Sequence, residues 1–227
     1  MQNLVGVLLW AGVAAPIVYA ATVVAGGASI PGYDHFADSI SSLTQSGRQE
    51  TSWIQSCFTL YNLLLAVFAG ATLWRSREHT LWVWVFGLVL LTTICGLLMG
   101  PFAQDPVGTP VTWQGIAHLV LAAIESLSTL VVLSLSVIGF RARGVAAGFW
   151  VSLGCLLLTA PFGVATALAV GNSWPGVGLF ERLTIGGFEA WLLIVAILLL
   201  ARPHSLLRQP HPPRNAAPTR TAVASGR

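Results

Sequence analysis

The sequence contains no lysine, and charged residues make up only 8% of its 227 positions. Soluble domains usually carry roughly 25% charged residues, because their surfaces must face water. Hydrophobic residues, in contrast, reach 55%. So few charges cannot solvate a globule of 24.0 kDa, and the composition therefore predicts a protein whose main solvent is lipid.

The sequence also lacks the short motifs that identify common enzymes and cofactor-binding proteins. It has no GxSxG nucleophile turn, no HExxH zinc motif and no glycine-rich phosphate loop. Its three cysteines, Cys57, Cys95 and Cys155, lie inside apolar runs without CxxC spacing. Neither a disulfide framework nor a thiolate zinc site is expected, and the sequence predicts no cofactor.

The basic residues are all arginine, and they give a net charge of +3 and a pI near 9.1. They cluster at the ends of apolar segments and form no stripe along a polar face. Such a distribution is typical of membrane topology and not of nucleic-acid binding. We therefore expect membrane lipids, and no nucleic acid, as partners.

Six apolar segments are long enough to cross a bilayer, which takes about 20 residues each. Two longer polar loops, 29–50 and 101–112, lie between them. The pattern predicts an all-α bundle of six transmembrane helices over residues 1–201 and a disordered, Arg/Pro/Ala-rich cytoplasmic tail over residues 202–227. The segments cover residues 3–28, 51–74, 80–100, 113–139, 145–170 and 179–201.

The arginine distribution predicts the orientation of this bundle. With the long loops outside, only Arg48 and Arg182 of the 11 arginines lie on the outer side. Because basic residues accumulate in cytoplasmic loops, both termini are predicted to be cytoplasmic in a multi-pass protein of the cell membrane. Val18-Tyr19-Ala20 resembles a signal-peptidase site, but no basic residue precedes the run, so a retained first helix is favoured over cleavage to five helices.

Three polar side chains fall deep inside predicted helices: Asn62, Glu125 and Glu189. An acidic residue at a helix centre costs about 2.5–3.5 kcal/mol on insertion scales, and such residues usually face the bundle interior. If the two glutamates face each other, they form a proton or cation site. The alternative is that each is neutral and hydrogen-bonds to Asn62 or a serine to hold helices together.

A second group of polar residues belongs to the outer loops and the start of the fourth helix. His118 and Glu125 are seven positions apart and project from nearly the same helix face. This spacing predicts an outward-facing site that binds ligand through Asp34, His35, Asp38, Ser39, Ser42, Asp105 and His118.

The same residues are open to other interpretations. His118, Asp105 and Asp34 are the candidates for acid–base catalysis on an ester, or for holding a divalent metal. Alternatively, Asp34 and Asp38 only cap a short interfacial helix. Whether the protein is an enzyme is therefore not predicted.

The run Pro31-Gly32-Tyr33-Asp34-His35, followed by Asp38-Ser39-Ile40-Ser41-Ser42-Leu43, resembles a signature of a bacterial membrane family catalogued as domain of unknown function 998. Pro101-Phe102-x2-Asp105 and His118 extend the resemblance, which covers roughly residues 5–200. Thr44 stands where that pattern has glycine, so a turn with positive φ is not expected there. More distantly, the Ile-Ser-x-Leu segment is similar to the Frag1/DRAM/Sfk1 group of autophagy modulators and lipid-remodelling factors.

This resemblance implies the fold, and that the outer loops form the characteristic surface; it implies no reaction. Our leading hypothesis is a membrane protein whose outward-facing polar pocket binds or handles a lipid or small amphipathic ligand. One alternative is an outer-leaflet lipid hydrolase or transferase that uses His118 with outer acids. Another is a proton- or cation-coupled transporter that uses Glu125 and Glu189. The residues indicate neither the ligand nor the oligomeric state.

Overall fold

A computed structural model of the protein describes residues 2–48, 51–172 and 174–201, with side chains from residue 6 onward. These residues form helices and connecting turns, and none of them lies in a β-strand. The predicted tail over residues 202–227 lies outside the described residues.

Six spans are confirmed. The first consists of helices α1 (Gln2–Leu9) and α2 (Ala11–Ser29), which together give one apolar stretch over Gly6–Ser29. A short 3-10 helix, Ser41–Thr44, lies in the first long loop. The other five spans are α3 (Ser52–Ser76), α4 (Thr80–Leu98), α5 (Trp113–Ala142), α6 (Ala146–Asn172) and α7 (Val177–Ala201). All six are long and apolar enough to cross a membrane, and the protein is a multi-pass membrane protein.

The spans form a closed ring in chain order. Each of the helices α2 to α7 packs against its neighbours in sequence, and α7 returns to α2. This α2–α7 seam has less contact than any other seam of the ring. Large side chains fill the interior, and the bulkiest fully buried ones include Phe68, Phe86, Leu133, Trp82 and Trp191.

The ring has two different ends. At the long-loop end, the described parts of the connections, residues 30–48, 99–112 and 174–176, lie between helices. At the short-loop end, α3 is joined to α4 and α5 to α6 by three-residue turns, over residues 77–79 and 143–145. Gly144 takes a positive φ of 66° in the second turn, a conformation that only glycine adopts without strain. Short turns force sequential helices to run antiparallel, which produces the up-and-down ring.

The outward faces of the helices are apolar. Leu63 is 51% exposed, Leu127 65% and Leu157 66%, although each belongs to a different membrane-spanning helix. A soluble protein rarely exposes such a continuous apolar surface. Lipid tails can cover these faces, while the few polar groups turn inward or towards the loops.

We predict that packing of α6 against α5 depends on Gly148. A β-carbon at this position would overlap the ring of Phe140, which is only 1% exposed, whereas one at Gly154 on the same helix would meet open space. Gly148→Ala should therefore destabilise the protein by about 1–3 kcal/mol, the usual range for overpacking. The measurement is the thermal unfolding midpoint in detergent, with Gly154→Ala as the matched control; equal midpoints for both variants would contradict this packing.

Candidate functional site

The first long loop is attached to the beginning of α7 by Glu181. One carboxylate oxygen of Glu181 accepts a hydrogen bond from the backbone N–H of Ile40 at 2.5 Å, and the other accepts from the Ser41 hydroxyl at 3.2 Å. These bonds satisfy donors at the point where the chain enters the 3-10 helix. The loop therefore lies directly over the end of α7.

Arg182 makes the second attachment. Its Nη1 donates to the backbone oxygens of Asp38 at 2.9 Å and Gly178 at 2.8 Å. Its Nη2 donates to the Tyr33 hydroxyl at 2.5 Å and to His35 Nδ1 at 3.0 Å. Because a guanidinium only donates, Nδ1 of His35 must be the unprotonated ring nitrogen. We call Glu181 and Arg182, with the loop groups that they bind, the loop clamp.

The loop clamp is packed as well as hydrogen-bonded. Tyr33 donates to the Ser39 carbonyl at 2.9 Å while it accepts from Arg182. Burial raises the pKa of Tyr33 above its ordinary value and outweighs the opposing effect of the Arg182 charge, so the phenol stays protonated at neutral pH. At Gly178, a β-carbon would collide with the backbone oxygens of His35 and Asp38. Glycine is thus required where the loop crosses α7.

The two loop aspartates serve the loop's own backbone. The Asp38 carboxylate accepts from the backbone N–H of Asp34 at 2.8 Å, and the Asp34 carboxylate accepts from that of Phe36, also at 2.8 Å. The alternative prediction that they cap a short helix is therefore wrong in detail. A 3-10 helix is present, but the hydroxyl of Ser39 accepts from the backbone of Ser42 at its start, at 3.1 Å.

Gln104 joins the two long loops. Its side-chain oxygen accepts from the Ser39 hydroxyl at 3.3 Å, and its backbone oxygen accepts from the backbone and hydroxyl of Ser46 at 2.9 and 3.0 Å. The predicted outer residues thus belong to one connected layer. They nevertheless separate into a part over α7, with His35 and Asp38, and a part over α5.

The part over α5 consists of Asp105 and His118. Asp105 accepts from the backbone and hydroxyl of Thr112 at 2.7 and 2.8 Å, and Thr112 in turn caps α5 by accepting from Gly115. Nδ1 of His118, a buried residue, donates to the backbone oxygen of Phe102 at 3.0 Å. Both residues therefore fasten the second loop to the start of α5.

These contacts bear on the catalytic and metal interpretations. The Phe102 carbonyl, rather than a carboxylate, orients the His118 ring, although Asp105 lies within electrostatic range. Over the described ranges, no three His, Cys, Asp or Glu side chains converge as metal ligands, so Asp34, Asp105 and His118 do not form such a set. A hydrolase or transferase that uses His118 stays a prediction.

Deeper in the ring, Glu189 hydrogen-bonds to Tyr61. Oε1 of Glu189 accepts from the Tyr61 hydroxyl at 2.6 Å, while Oε2 is buried and has no partner among the described residues. Asn62 bonds to the Phe58 carbonyl of its own helix and not to either glutamate. Glu125 lies close enough to Glu189 for their charges to interact, and its carboxyl makes no hydrogen bond within the described part of the chain.

A cleft of about 200 Å³ lies between α2 and α7, below the loop clamp. Its two ends are polar, with Arg182 near the loops and Glu189 about two helical turns deeper, or roughly 10 Å at 1.5 Å per residue. Its mouth is marked by the exposed residues Ala20, Val24 and Gly186. The complete lining is Tyr19, Ala20, Val23, Val24, Ile40, Arg182, Ile185, Gly186 and Glu189.

Sequence reasoning identified Glu189 but missed most of its surroundings. Glu181 and Arg182 were visible only as adjacent charges at the start of an apolar segment, a rare feature in a chain with 8% charged residues. Nothing in the pattern singled out Tyr19 or Tyr61. A tyrosine in an apolar run usually lies at the membrane interface or fills space in the core. Tyr19 reaches the cleft only because α2 packs against α7 where the ring of helices closes.

Comparison with protein-family models matches residues 13–198 to the family described as Protein of unknown function (DUF998). No curated protein and no solved structure matches the chain. The more distant similarity to the Frag1/DRAM/Sfk1 group stays a prediction.

We predict that removal of the Glu181 carboxylate releases the first loop. Glu181→Ala leaves the Ile40 N–H and the Ser41 hydroxyl without their acceptor, a loss of about 1–3 kcal/mol for buried groups. Amide hydrogen exchange of a peptide covering residues 33–41 should then rise by about tenfold or more.

Glu78→Ala, in the exposed turn at the short-loop end, is the matched control and should leave that exchange unchanged. Glu181→Gln should have a smaller effect, because the amide keeps one acceptor oxygen. Unchanged exchange in Glu181→Ala would contradict the loop clamp.

Proposed function

We propose that this chain, which belongs to the family described as Protein of unknown function (DUF998), binds a lipid or another small amphipathic molecule within the membrane. The description of the family names no activity, and the proposal is therefore based on the α2–α7 cleft. The observation that carries the proposal is the pairing of apolar walls with unsatisfied polar atoms. Both Arg182 Nε and Glu189 Oε2 are buried without a partner, and both residues line this cleft.

Unpartnered polar atoms in a membrane protein are costly, since no water is present to replace the missing bond. In most native sites such atoms are satisfied by protein, by ordered water or by a ligand. The cleft offers a donor near the loops and an acceptor deeper in the ring, separated by the apolar side chains of Val23 and Ile185. An amphipathic molecule, with a polar group and an apolar body, is complementary to this pattern.

The position of the mouth supports entry from the lipid phase. Ala20 and Gly186 are exposed on the outward faces of α2 and α7, which lipid tails cover in a bilayer. The seam between these helices also has the least contact in the ring, so its separation disrupts the fewest interactions. A molecule dissolved in the bilayer can therefore reach the cleft without passing through water.

The loop clamp forms the upper boundary of this site. Ile40 and Arg182 line the cleft and also belong to the attachment of the first loop, so a movement of the loop changes the shape of the cleft. Of the predicted ligand-binding residues, His35, Asp38 and Ser39 form hydrogen bonds within the loop clamp and so help to shape the upper boundary of the cleft. Asp34, Ser42, Asp105 and His118 support the two loops around it.

The proposal includes the location of the protein. We expect the cell membrane, with both termini in the cytoplasm and the long-loop end outside, because basic residues collect at the short-loop end. Arg75 and Arg77 lie where α3 is joined to α4, and Arg141 and Arg143 lie where α5 is joined to α6. In this orientation the cleft lies in the outer half of the bilayer and membrane lipids are its nearest partners.

We predict saturable labelling of the cleft by an alkyl probe that carries a diazirine. After irradiation of the protein in phosphatidylcholine nanodiscs, labelled residues should concentrate in 19–24 and 185–189, and unlabelled alkyl compound should compete. Gly186→Leu should reduce this labelling at least about fivefold, because the larger side chain occupies an apolar site of limited volume. Peptide mass spectrometry provides the measurement.

Gly154→Leu, on the exposed face of α6, controls for a general effect of a larger side chain. Labelling spread evenly over the outward faces of all helices, without competition, would show that the probe reports only lipid exposure and would remove the basis for the proposal.

A second candidate function is transport coupled to a proton or another cation. The observation that favours it is the electrostatic proximity of Glu125 to Glu189, on helices that belong to different parts of the ring. Both carboxyls lie about 18 Å from the long-loop ends of their helices at 1.5 Å per residue, and so at the same depth. Two carboxyls that interact in low dielectric are able to share a proton or to bind a cation.

For this candidate, we predict that Glu125→Gln in proteoliposomes abolishes any ligand-dependent proton flux while alkyl-probe binding stays within about twofold of the original. The amide keeps the shape of the side chain and removes the titrating group. A pH-sensitive dye inside the vesicles gives the readout. Equal flux in the original protein and the variant, or no flux in either, would exclude coupling through Glu125.

A further inference from the structure

Glu189 presents an acceptor that the protein does not satisfy. The side chain is only 8% exposed, and its Oε1 already accepts from Tyr61 at 2.6 Å. Its Oε2 has no partner in the described ranges, although the residue lines the α2–α7 cleft. A buried carboxyl oxygen without a donor is costly, and a donor group in the cleft would satisfy it.

Other groups around this oxygen also favour positive charge. The Tyr19 side chain lines the cleft, and no hydrogen bond of its hydroxyl occurs in the described part of the chain. The centroid of the Tyr19 ring lies 4.9 Å from that of Tyr61 and 5.4 Å from that of Phe58, so the aromatic ring in the cleft lining packs against two others. The Glu125 carboxyl adds a second acidic group within electrostatic range. Acids beside aromatic faces are a favourable environment for an organic cation.

The one basic residue in the cleft lining does not cancel this preference. Arg182 donates to three acceptors of the first loop and to the Gly178 carbonyl of α7, and Glu181 lies beside it in the sequence and within electrostatic range. Its charge is thus largely compensated at the loop end. Glu189, about 10 Å deeper at 1.5 Å per residue, has the Tyr61 hydroxyl as its hydrogen-bond partner and no cationic partner among the residues that the structure describes.

We infer that the cleft selects amphipathic amines: a primary ammonium group donates to Glu189 Oε2, and the apolar body of the molecule lies against Val23 and Ile185 and extends into the lipid. This inference rests on the proposed function, because it names the ligand class of the same site. A primary ammonium satisfies both requirements, since it carries charge and N–H donors. A trimethylammonium group keeps the charge but has no N–H, and an alcohol has a donor without charge.

The test compares four radiolabelled compounds of equal chain length on the full protein in phosphatidylcholine nanodiscs: decylamine, decyltrimethylammonium, decanol and decanoate. Empty nanodiscs give the partition background, which is subtracted. Decylamine should bind saturably and at least about tenfold more tightly than decanol or decanoate, with decyltrimethylammonium between them. One hydrogen bond to a charged group, at about 1.5–3 kcal/mol, gives a factor of this size.

Glu189→Gln should weaken decylamine binding about tenfold and leave decanol binding unchanged, because glutamine keeps the acceptor for Tyr61 but loses the charge. Glu78→Gln, exposed at the short-loop end, should change neither. The four-compound series on the unaltered protein decides the question even if Glu189→Gln does not fold.

The outcomes separate this inference from the proposed function. If all four compounds bind equally and Gly186→Leu abolishes binding of each, the cleft binds amphiphiles but does not select amines. The inference is then overturned, while the proposed function stands. It is overturned in the same way if Glu189→Gln leaves decylamine binding unchanged. If no compound binds saturably, or if Gly186→Leu has no effect, the proposed function fails as well.

Discussion

The constraint on which this structure depends is that polar groups surrounded by lipid must find partners within the protein. Most hydroxyls in the spans meet it within their own helix, as Thr72 and Ser136 do by donating to the carbonyl four residues earlier. The glutamates cannot meet it locally, and Glu189 relies on Tyr61 from another helix. Five buried side-chain atoms among the described residues lack a hydrogen-bond partner, and two of them, Arg182 Nε and Glu189 Oε2, belong to residues that line the α2–α7 cleft.

The same constraint explains why the loops are so firmly attached. A loop over the end of a helical ring brings backbone donors close to an apolar interior. Glu181 and Arg182 satisfy several of these donors and acceptors from the first turns of α7, and His118 satisfies a carbonyl of the second loop from α5. Charged residues at helix ends therefore hold the long loops in place. The loop that they hold, together with Arg182, forms the upper boundary of the cleft.

Many polar residues that are prominent in the sequence have structural roles. Asp34, Asp38 and Asp105 bind backbone groups within or between loops, and Ser39 and Gln104 join the two loops. The family-like segment in the first loop is thus explained largely by loop geometry. Thr44 lies in the 3-10 helix, where no positive φ was expected, and the first long loop has a positive φ of 83° at Gly47 instead. Function is better sought where polar atoms lack partners than where polar residues are most numerous.

The sequence by itself determined the six spans, because length and hydrophobicity of a segment are local properties and the bilayer sets the required length. It also located the two glutamates within the spans, since an acid in an apolar run is conspicuous without any knowledge of its neighbours. Only the tertiary structure decided that Tyr61 is the partner of Glu189, that Glu181 and Arg182 hold the first loop, and that α2 meets α7 at a cleft. These contacts join residues more than a hundred positions apart, so they depend on the closure of the ring, and no local pattern contains that information.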